Sequence, residues 1–389
     1  MVYITIKAQQ RYHQITLEEL LYGRKRCPTV VGKATDTRTY ETEALSGRFL
    51  TDFHVEPLIW RLEKFNASTE ELRQKDRHSL YRSFCIPKKN GKLRHIDAPN
   101  PELMKALRIL KDMLEREFSS VAVTGVQSSY YHTSAFAYVG GRCTVDAVKR
   151  HQANESRWFA KLDFSNFFGT TTLEHTMHML SMVFPYSEIC KSERGREELR
   201  KAVELGFLDG VLPQGTPLSP TLTNIIMIPI DFRLFNTLRN YENQRYVYTR
   251  YADDMLISSR YTFNVKKIEK LVLDVLKEFS APYILNKEKT RYGSSSGSNW
   301  NLGVMLNKDN RITIGHKKKR QFEAMLSSYA MDRKNGIGWT YEDIAHMDGL
   351  RSYYKSIEGE TIDKIIRHLS ERFGFNIQNA IREDLRGGI

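Results

Sequence analysis

Cysteine is scarce. Four residues, Cys27, Cys85, Cys143 and Cys190, are spread over 389 positions with no Cys-x-x-Cys pair. That pattern excludes a zinc ribbon and a disulfide framework. No apolar run approaches the roughly 20 residues that cross a bilayer, which excludes an integral membrane protein. The opening stretch, Met1-Val-Tyr-Ile-Thr-Ile-Lys, lacks the apolar centre of a signal peptide, so the expected location is the cytoplasm. There is no Walker A loop, no glycine-rich dinucleotide fingerprint and no Ser-His-Asp order. Acidic charge is also short: 46 Asp and Glu face 59 Lys and Arg, a net charge of +13. A pI near 9.4 points to a polyanion, nucleic acid ahead of a membrane surface, with plain solubility as the alternative. Hydrophobic residues at 41% and charged residues at 27% fit a soluble globular chain of two or three domains.

Residues 1–80 read as mostly helical after a first strand. Thr16-Leu-Glu-Glu19 and Ser68-Thr-Glu-Glu71 both fit a helix-opening capping box. Asn90-Gly91, between Phe84-Cys-Ile-Pro and Leu93-Arg-His-Ile, predicts a hairpin over 81–97. Five basic residues and no acid lie between Arg82 and Arg94, which suits phosphate contact at its tip. A helix over 102–118 follows, then a Tyr/Ser/Gly-rich segment at 125–142. Residues 158–164 read as a buried strand, 212–228 as a Pro/Gly turn entering an apolar helix, and 246–259 as two short strands. Val265, Ile268, Val272, Val275, Leu276 and Phe279 recur at helical spacing, predicting an amphipathic helix over 264–279. Gly293–Ser298 reads as a surface loop. Arg311 to Arg320 holds five basic residues and no acid, and three helices are predicted over 316–331, 340–357 and 361–373.

Asp253-Asp254 lies between the two short strand-like runs. Adjacent carboxylates repel unless a cation lies between them, and hard oxygen donors of this kind suit Mg²⁺. The same pair also reads as a solvated turn. Asp163 closes the 158–164 strand and could add a third carboxylate. Paired metals are the usual solution for in-line phosphoryl transfer. His175 and His178, at i and i+3, lack an evident third ligand, and Met177, Met179 and Met182 read as core packing.

Ordered blocks then resemble the palm of reverse transcriptases. Lys161-Leu-Asp-Phe-Ser-Asn-Phe-Phe168 resembles their motif A, Leu212-Pro-Gln-Gly-Thr-Pro-Leu-Ser-Pro220 their motif B, and Arg250-Tyr-Ala-Asp-Asp254 their motif C. Leu285-Asn-x-x-Lys-Thr290 resembles motif D and Leu302-Gly303 the start of motif E. Ile86-Pro-Lys-Lys-Asn-Gly-Lys-Leu-Arg94 is similar to the fingers hairpin. Ala135-Phe-Ala-Tyr-Val-Gly-Gly-Arg142 is similar to the segment before motif A in bacterial enzymes, and His346–Lys355 to a bacterial thumb helix. The resemblance covers about residues 81–357. The form of motif B resembles retron and group II intron enzymes. Asn301-Leu-Gly303 stands where retron enzymes carry Val-Thr-Gly, and Asp146-Ala-Val-Lys-Arg-His151 where they carry Asn-Ala-x-x-His. What remains is most similar to the unknown-group, defence-associated bacterial reverse transcriptases.

The resemblance implies an α+β right-hand polymerase: an N-terminal extension at 1–80, fingers and an antiparallel-sheet palm at 81–310, and a helical thumb at 311–389. It implies that Asp163, Asp253 and Asp254 hold two Mg²⁺, or Mn²⁺ in their place. Lys88, Lys89 and Arg94 would grip the triphosphate, Arg94 best because a guanidinium binds phosphate bidentately. Gln214 and Gly215 would lie against the template–nucleotide pair, Gly215 allowing close approach. Lys289 would protonate or neutralise the leaving pyrophosphate, and Tyr251 would pack under the primer end. Lys317, Lys318, Lys319 and Arg320 would hold primer and template. Phe168 would fill the space of a ribose 2′-hydroxyl, favouring deoxynucleotides over the ribonucleotides of an RNA polymerase. The implied function is RNA-directed DNA synthesis from dNTPs, with an RNA template such as a dedicated noncoding RNA, in antiphage defence. A partner protein or a second copy of the chain is compatible with it; a membrane is not. The alternatives are untemplated, protein-templated or protein-primed synthesis at the same site, and a non-catalytic RNA-binding scaffold.

Overall fold

The computed structural model describes residues 3–8, 11–16, 55–87, 91–117, 131–295 and 303–387. Two strands open it, β1 (Tyr3–Ala8) and β2 (Arg11–Thr16), paired antiparallel. The second strand replaces the helix expected after the first; Thr16 ends it, and residues 17–19, the rest of the first capping box, lie outside the described residues. Helix α1 (Glu56–Ser68) and short helix α2 (Glu70–Gln74) follow. Ser68 closes α1, its hydroxyl donating to the Phe65 carbonyl at 2.8 Å, so the capping box expected at Ser68-Thr-Glu-Glu71 does not form. The competing bond is local: a helix-terminal serine reaches back to a carbonyl of its own last turn.

The predicted hairpin is present as β3 (Tyr81–Pro87) and β4 (Leu93–Pro99), in register from Tyr81↔Pro99 to Pro87↔Leu93. Lys88, Lys89 and Asn90 lie outside the described residues. Helix α3 (Pro101–Asp112) starts with Pro at its first position and the Asn100 side chain accepting from the Leu103 amide. It runs on through a π turn at Met113–Glu117. Helix α4 (Thr144–Ala153) precedes strand β5 (Trp158–Asp163). Helices α5 (Leu173–Leu180) and α6 (Glu193–Glu204) lead to α7 (Leu218–Ile226) and α8 (Ile228–Arg239). Helix α7 is buried almost all round, and its polar residues bond inward: Thr223 Oγ1 donates to the Ser219 carbonyl at 2.9 Å. A helix with no solvent face is a core element.

Strands β6 (Val247–Tyr251) and β7 (Asp254–Ser259) flank a two-residue connection, so they pair antiparallel. With β5 and β8 (Arg291–Ser294) they form a sheet in the order β6-β7-β5-β8. Helix α9 (Val265–Glu278) buries Ile268, Leu271, Val272, Val275 and Leu276, as its periodicity predicts. Short strands β9 (Met305–Leu306) and β10 (Ile312–Thr313) precede α10 (His316–Lys334), α11 (Tyr341–Phe373) and α12 (Ile377–Gly387). The break predicted between the helices at 340–357 and 361–373 is a kink inside α11, where Glu358 leaves helical geometry. Its carboxylate accepts from Thr313 Oγ1 and the Ile314 amide and pairs with Lys319. Helix α12 was not anticipated.

The chain gathers into two compact units. One comprises Met1–Arg142, Ala160–Ile257 and Asn264–Arg291; the other comprises Cys143–Phe159, Ser258–Phe263 and Tyr292–Ile389. The second has its own core, with Phe322, Leu326 and Tyr329 of α10, Met347, Ile362 and Leu369 of α11, and Ile377 and Ile381 of α12. No helix among the described residues is long and apolar enough to cross a membrane.

Candidate active site

A cavity of about 810 Å³ opens in the first unit. One wall is the β3–β4 ribbon, through Lys92, Arg94 and Ile96. Its lining also includes Asn166 and Phe168, from the turn after β5, and Asp253 and Lys289. Gln214 and Gly215 close it from the loop before α7. Side chains alternate across a strand, so one face of the ribbon supplies all three of its lining residues.

Asp163 ends β5 almost fully buried, at 3% exposure. Asp253 occupies the β6–β7 turn, after Ala252 in a left-handed conformation with φ 56°. Asp254 opens β7. Backbone bonds tie these segments together: Phe164 N donates to Asp253 O at 3.2 Å, and Asn286 N to Asp163 O at 2.8 Å. Burial raises the Asp163 carboxyl to about 6; the Lys289 bond opposes this, and the Asp253 charge and the Asp254 carboxyl add to it. Asp253 is raised as well, by burial first and then by the Asp254 charge. Asp163 and Asp253, both raised and with the Asp254 carboxylate beside them, make a site for positive charge.

Two lysines answer that charge. Lys289 Nζ donates to Asp163 Oδ2 at 2.7 Å, and Lys161 Nζ to Asp254 Oδ2 at 2.7 Å. Burial works against the Lys289 ammonium, but the bond to Asp163 and the charges of Asp253 and Asp254 outweigh it, so its pKa is raised. Among the described residues no three acidic, His or Cys side chains already form a chelating group. The donor set, hard carboxylate oxygens brought close together and partly buried, fits a divalent cation that would share them with the lysines.

Gly215 has φ 117°, and a Cβ there would lie 2.8 Å from Ile96 Cγ2 and 2.9 Å from the Asp97 carbonyl. The close approach that glycine permits is therefore to the ribbon, whose Asp97 N–H donates to the Gln214 carbonyl at 2.7 Å. Phe168 is half-buried at the cavity wall, beside Phe167. Tyr251 is half-buried at the end of β6.

The basic residues near 320 belong to the second unit and divide by exposure. Lys317 and Arg320 are exposed, while Lys318 donates to the Gly303 carbonyl at 3.0 Å and Lys319 pairs with Glu358 at 2.6 Å. Lys317 and Lys318 line a separate cavity of about 780 Å³.

Sequence reasoning missed Lys92, Tyr138 and Asn286 on the cavity wall, and Lys161 beside Asp254. It also missed the support beneath the Asp253 turn. Arg250 is 1% exposed and binds both oxygens of Asp231 on α8, with Nη2–Oδ2 at 2.7 Å. Its Nη1 donates to Asn224 Oδ1 and to the Ala252 carbonyl, both at 3.1 Å. Tyr248 donates to Asp231 at 2.7 Å. The local signal was an arginine in the middle of a mostly buried strand, Val247-Tyr-Thr-Arg-Tyr251.

Clustered acids answered by two lysines, with Arg94 and Lys92 lining the same cavity, suit a polyanionic substrate with a bound cation. A family model described as reverse transcriptase (RNA-dependent DNA polymerase) matches residues 86–322, more than half of the chain. The chain belongs to the reverse transcriptase family, and so to the RNA-directed DNA polymerases, nucleotidyltransferases with an α+β right-hand fold. It is similar to the retron Ec83 reverse transcriptase of Escherichia coli, 26% identical over 320 residues that cover 79% of this chain and 91% of the relative. It is also similar to the retron Mx65 reverse transcriptase of Myxococcus xanthus, 28% identical over 313 residues, 77% of this chain and 66% of the relative. Among solved structures, telomerase from Candida tropicalis with a fragment of telomeric RNA aligns at TM-score 0.45 and 13% identity, over 80% of this chain and 58% of that one.

Proposed function

We propose that the 810 Å³ cavity is the polymerase active site, where dNTPs are added to a primer 3′-hydroxyl on an RNA template. The observation that carries this is that Asp253, whose carbonyl accepts from Phe164 N next to the buried Asp163, lines the same cavity as Arg94. Asp163 and Asp253 would be the direct ligands of two Mg²⁺ or Mn²⁺, with Asp254 completing the set. When bound, the ions supply activation of the 3′-hydroxyl and neutralisation of the leaving pyrophosphate. Arg94, with Lys92 beside it, binds the triphosphate; Lys88 and Lys89 would extend that grip. Lys289, 2.7 Å from Asp163, would give a proton to the departing pyrophosphate. Phe168 lies under the sugar, and Gln214 and Gly215 position the template–nucleotide pair. Tyr251 supports the primer end, and the segment 317–320 contacts the duplex, with Lys317 and Arg320 the exposed pair.

The division into an extension at 1–80, fingers and palm at 81–310 and thumb at 311–389 is part of the same proposal. So are a dedicated noncoding RNA as template, a cytoplasmic location and a role in antiphage defence. Similarity to retron reverse transcriptases favours templated synthesis over the untemplated, protein-primed and scaffold alternatives. Primer extension with Mg²⁺ tests the assignment. Asp253→Asn should lose incorporation by at least about 10³-fold while melting as a folded protein; near-normal extension would remove Asp253 from the metal site.

A further inference from the structure

The ribbon's other face carries a second set of reactive side chains. Ser83, Cys85, His95 and Asp97 alternate with Arg94 and Ile96, so they point away from the cavity. Cys85 is directly opposite His95 in the register, exposed to solvent, with Sγ 3.9 Å from His95 Nδ1. His95 Nε2 is 2.8 Å from Asp97 Oδ1, and Ser83 Oγ donates to that same oxygen at 2.6 Å. Asp97 is buried, with its side chain 11% exposed. A carboxylate fixed in this way accepts a hydrogen bond from Nε2–H, the tautomer that leaves Nδ1 as the acceptor facing the thiol. Nucleophile, base and orienting acid are then in order, the arrangement that activates cysteine nucleophiles.

The other described cysteines lack it. Cys143 is exposed, but its thiol donates to the Asp146 carboxylate at 3.2 Å, and Cys190 is buried.

We propose that Cys85 is a nucleophilic thiol, served by His95 and oriented by Asp97, that forms a mixed disulfide with small disulfide molecules. His95 Nδ1 takes the thiol proton, and Cys85 Sγ attacks one sulfur of the disulfide. A new S–S bond forms as the old one breaks, and the departing thiolate takes a proton from His95. Cys85 is oxidised, and the other half of the disulfide leaves as a reduced thiol. The adduct has a route to the cavity. Asp97 is bonded through its backbone to Gln214 and packs against Gly215, so displacing His95 loads the strand that forms the cavity wall. This consequence rests on the proposed active site; the thiol chemistry does not.

The test uses the full chain, the disulfide probe 5,5′-dithiobis(2-nitrobenzoate), and mass mapping of unreduced peptides at timed intervals. Cys85 should label at least about tenfold faster than Cys143, and His95→Gln should remove about that factor at Cys85 alone, the low end for a general base at an exposed position. His95 is exposed, so the variant is expected to fold; its melting temperature, matching the wild type, checks this. Equal rates at Cys85 and Cys143, or an unchanged Cys85 rate in His95→Gln, would overturn the proposal. In a parallel primer-extension assay, labelling should raise the KM for dNTP in the wild type and not in Cys85→Ser. Selective labelling with no change in KM would retain the reactive thiol and reject only its link to the cavity.

Discussion

Asp163 sits where burial and neighbouring charge oppose its own ionisation. With its carboxyl raised from 3.8 to about 6, Asp163 keeps its proton to higher pH in the folded metal-free protein than in the unfolded chain. The stability this contributes is fully present below about pH 4 and is lost as pH rises through 6. Two pKa units correspond to about 3 kcal/mol at most, reduced in practice by relaxation around the half-exposed Lys289. Without metal, Asp163→Asn should therefore melt higher than the wild type at pH 7.5, and the gap should close near pH 4. Added Mg²⁺ should raise the melting temperature of the wild type more than that of the variant. Parallel melting curves at both pH values would mean that the carboxylate is not under this load. Phe168 governs a different choice at the same scale. A ribose 2′-hydroxyl against its ring would be buried without a partner, at about 1–3 kcal/mol. Single-nucleotide incorporation should favour dNTP over rNTP by about 10- to 100-fold, and Phe168→Ala should narrow that ratio chiefly by gaining rNTP use. An unchanged ratio in the variant would place the sugar elsewhere.

The β6–β7 turn is held from below by an ion pair that no local pattern announces. Arg250 and Asp231 are each about 1% exposed, and the pair also engages Tyr248, Asn224 and the Ala252 carbonyl. Removing one partner strands a buried charge, a loss of about 3–5 kcal/mol. Asp231→Ala should show a deficit of that size in denaturant melts; a loss under about 1 kcal/mol would mean that water or another acid replaces the carboxylate. Strands β3, β5, β6 and β7 and helices α7 and α9 were legible because each carries its own period or turn chemistry. So were the three aspartates, the hairpin and the turn before α7. Asp231 was not, since on α8 it is one polar residue among several and only the fold brings it under β6. The Asp97–Gln214 bond and the Lys161–Asp254 pair escaped for the same reason. Strand β2 and helix α12 were missed at the ends of the chain, where no family block guided the reading. His151 shows the limit of short motifs. The chain has Asp146-Ala-Val-Lys-Arg-His151 in place of the retron pattern, yet over some 300 residues it is similar to retron enzymes. In the fold His151 is buried against Ser258 at 2.6 Å, its pKa lowered to about 3 by burial, a packing role that tolerates a shift in spacing.

At the scale of the molecule, a net charge of +13 and a family match over residues 86–322 both describe a protein that works on nucleic acid. The charge supplies attraction to any polyanion and carries no information about sequence, so binding alone does not separate a polymerase from a scaffold. Template-directed incorporation does. Four RNA templates that differ only in the first unpaired base, each annealed to one DNA primer, should each direct addition of the complementary dNTP in the presence of Mg²⁺. Incorporation should stop when the metal is chelated. The same dNTP added on all four templates, or addition that persists without a divalent ion, would contradict RNA-directed synthesis by a metal-dependent site built on Asp163, Asp253 and Asp254.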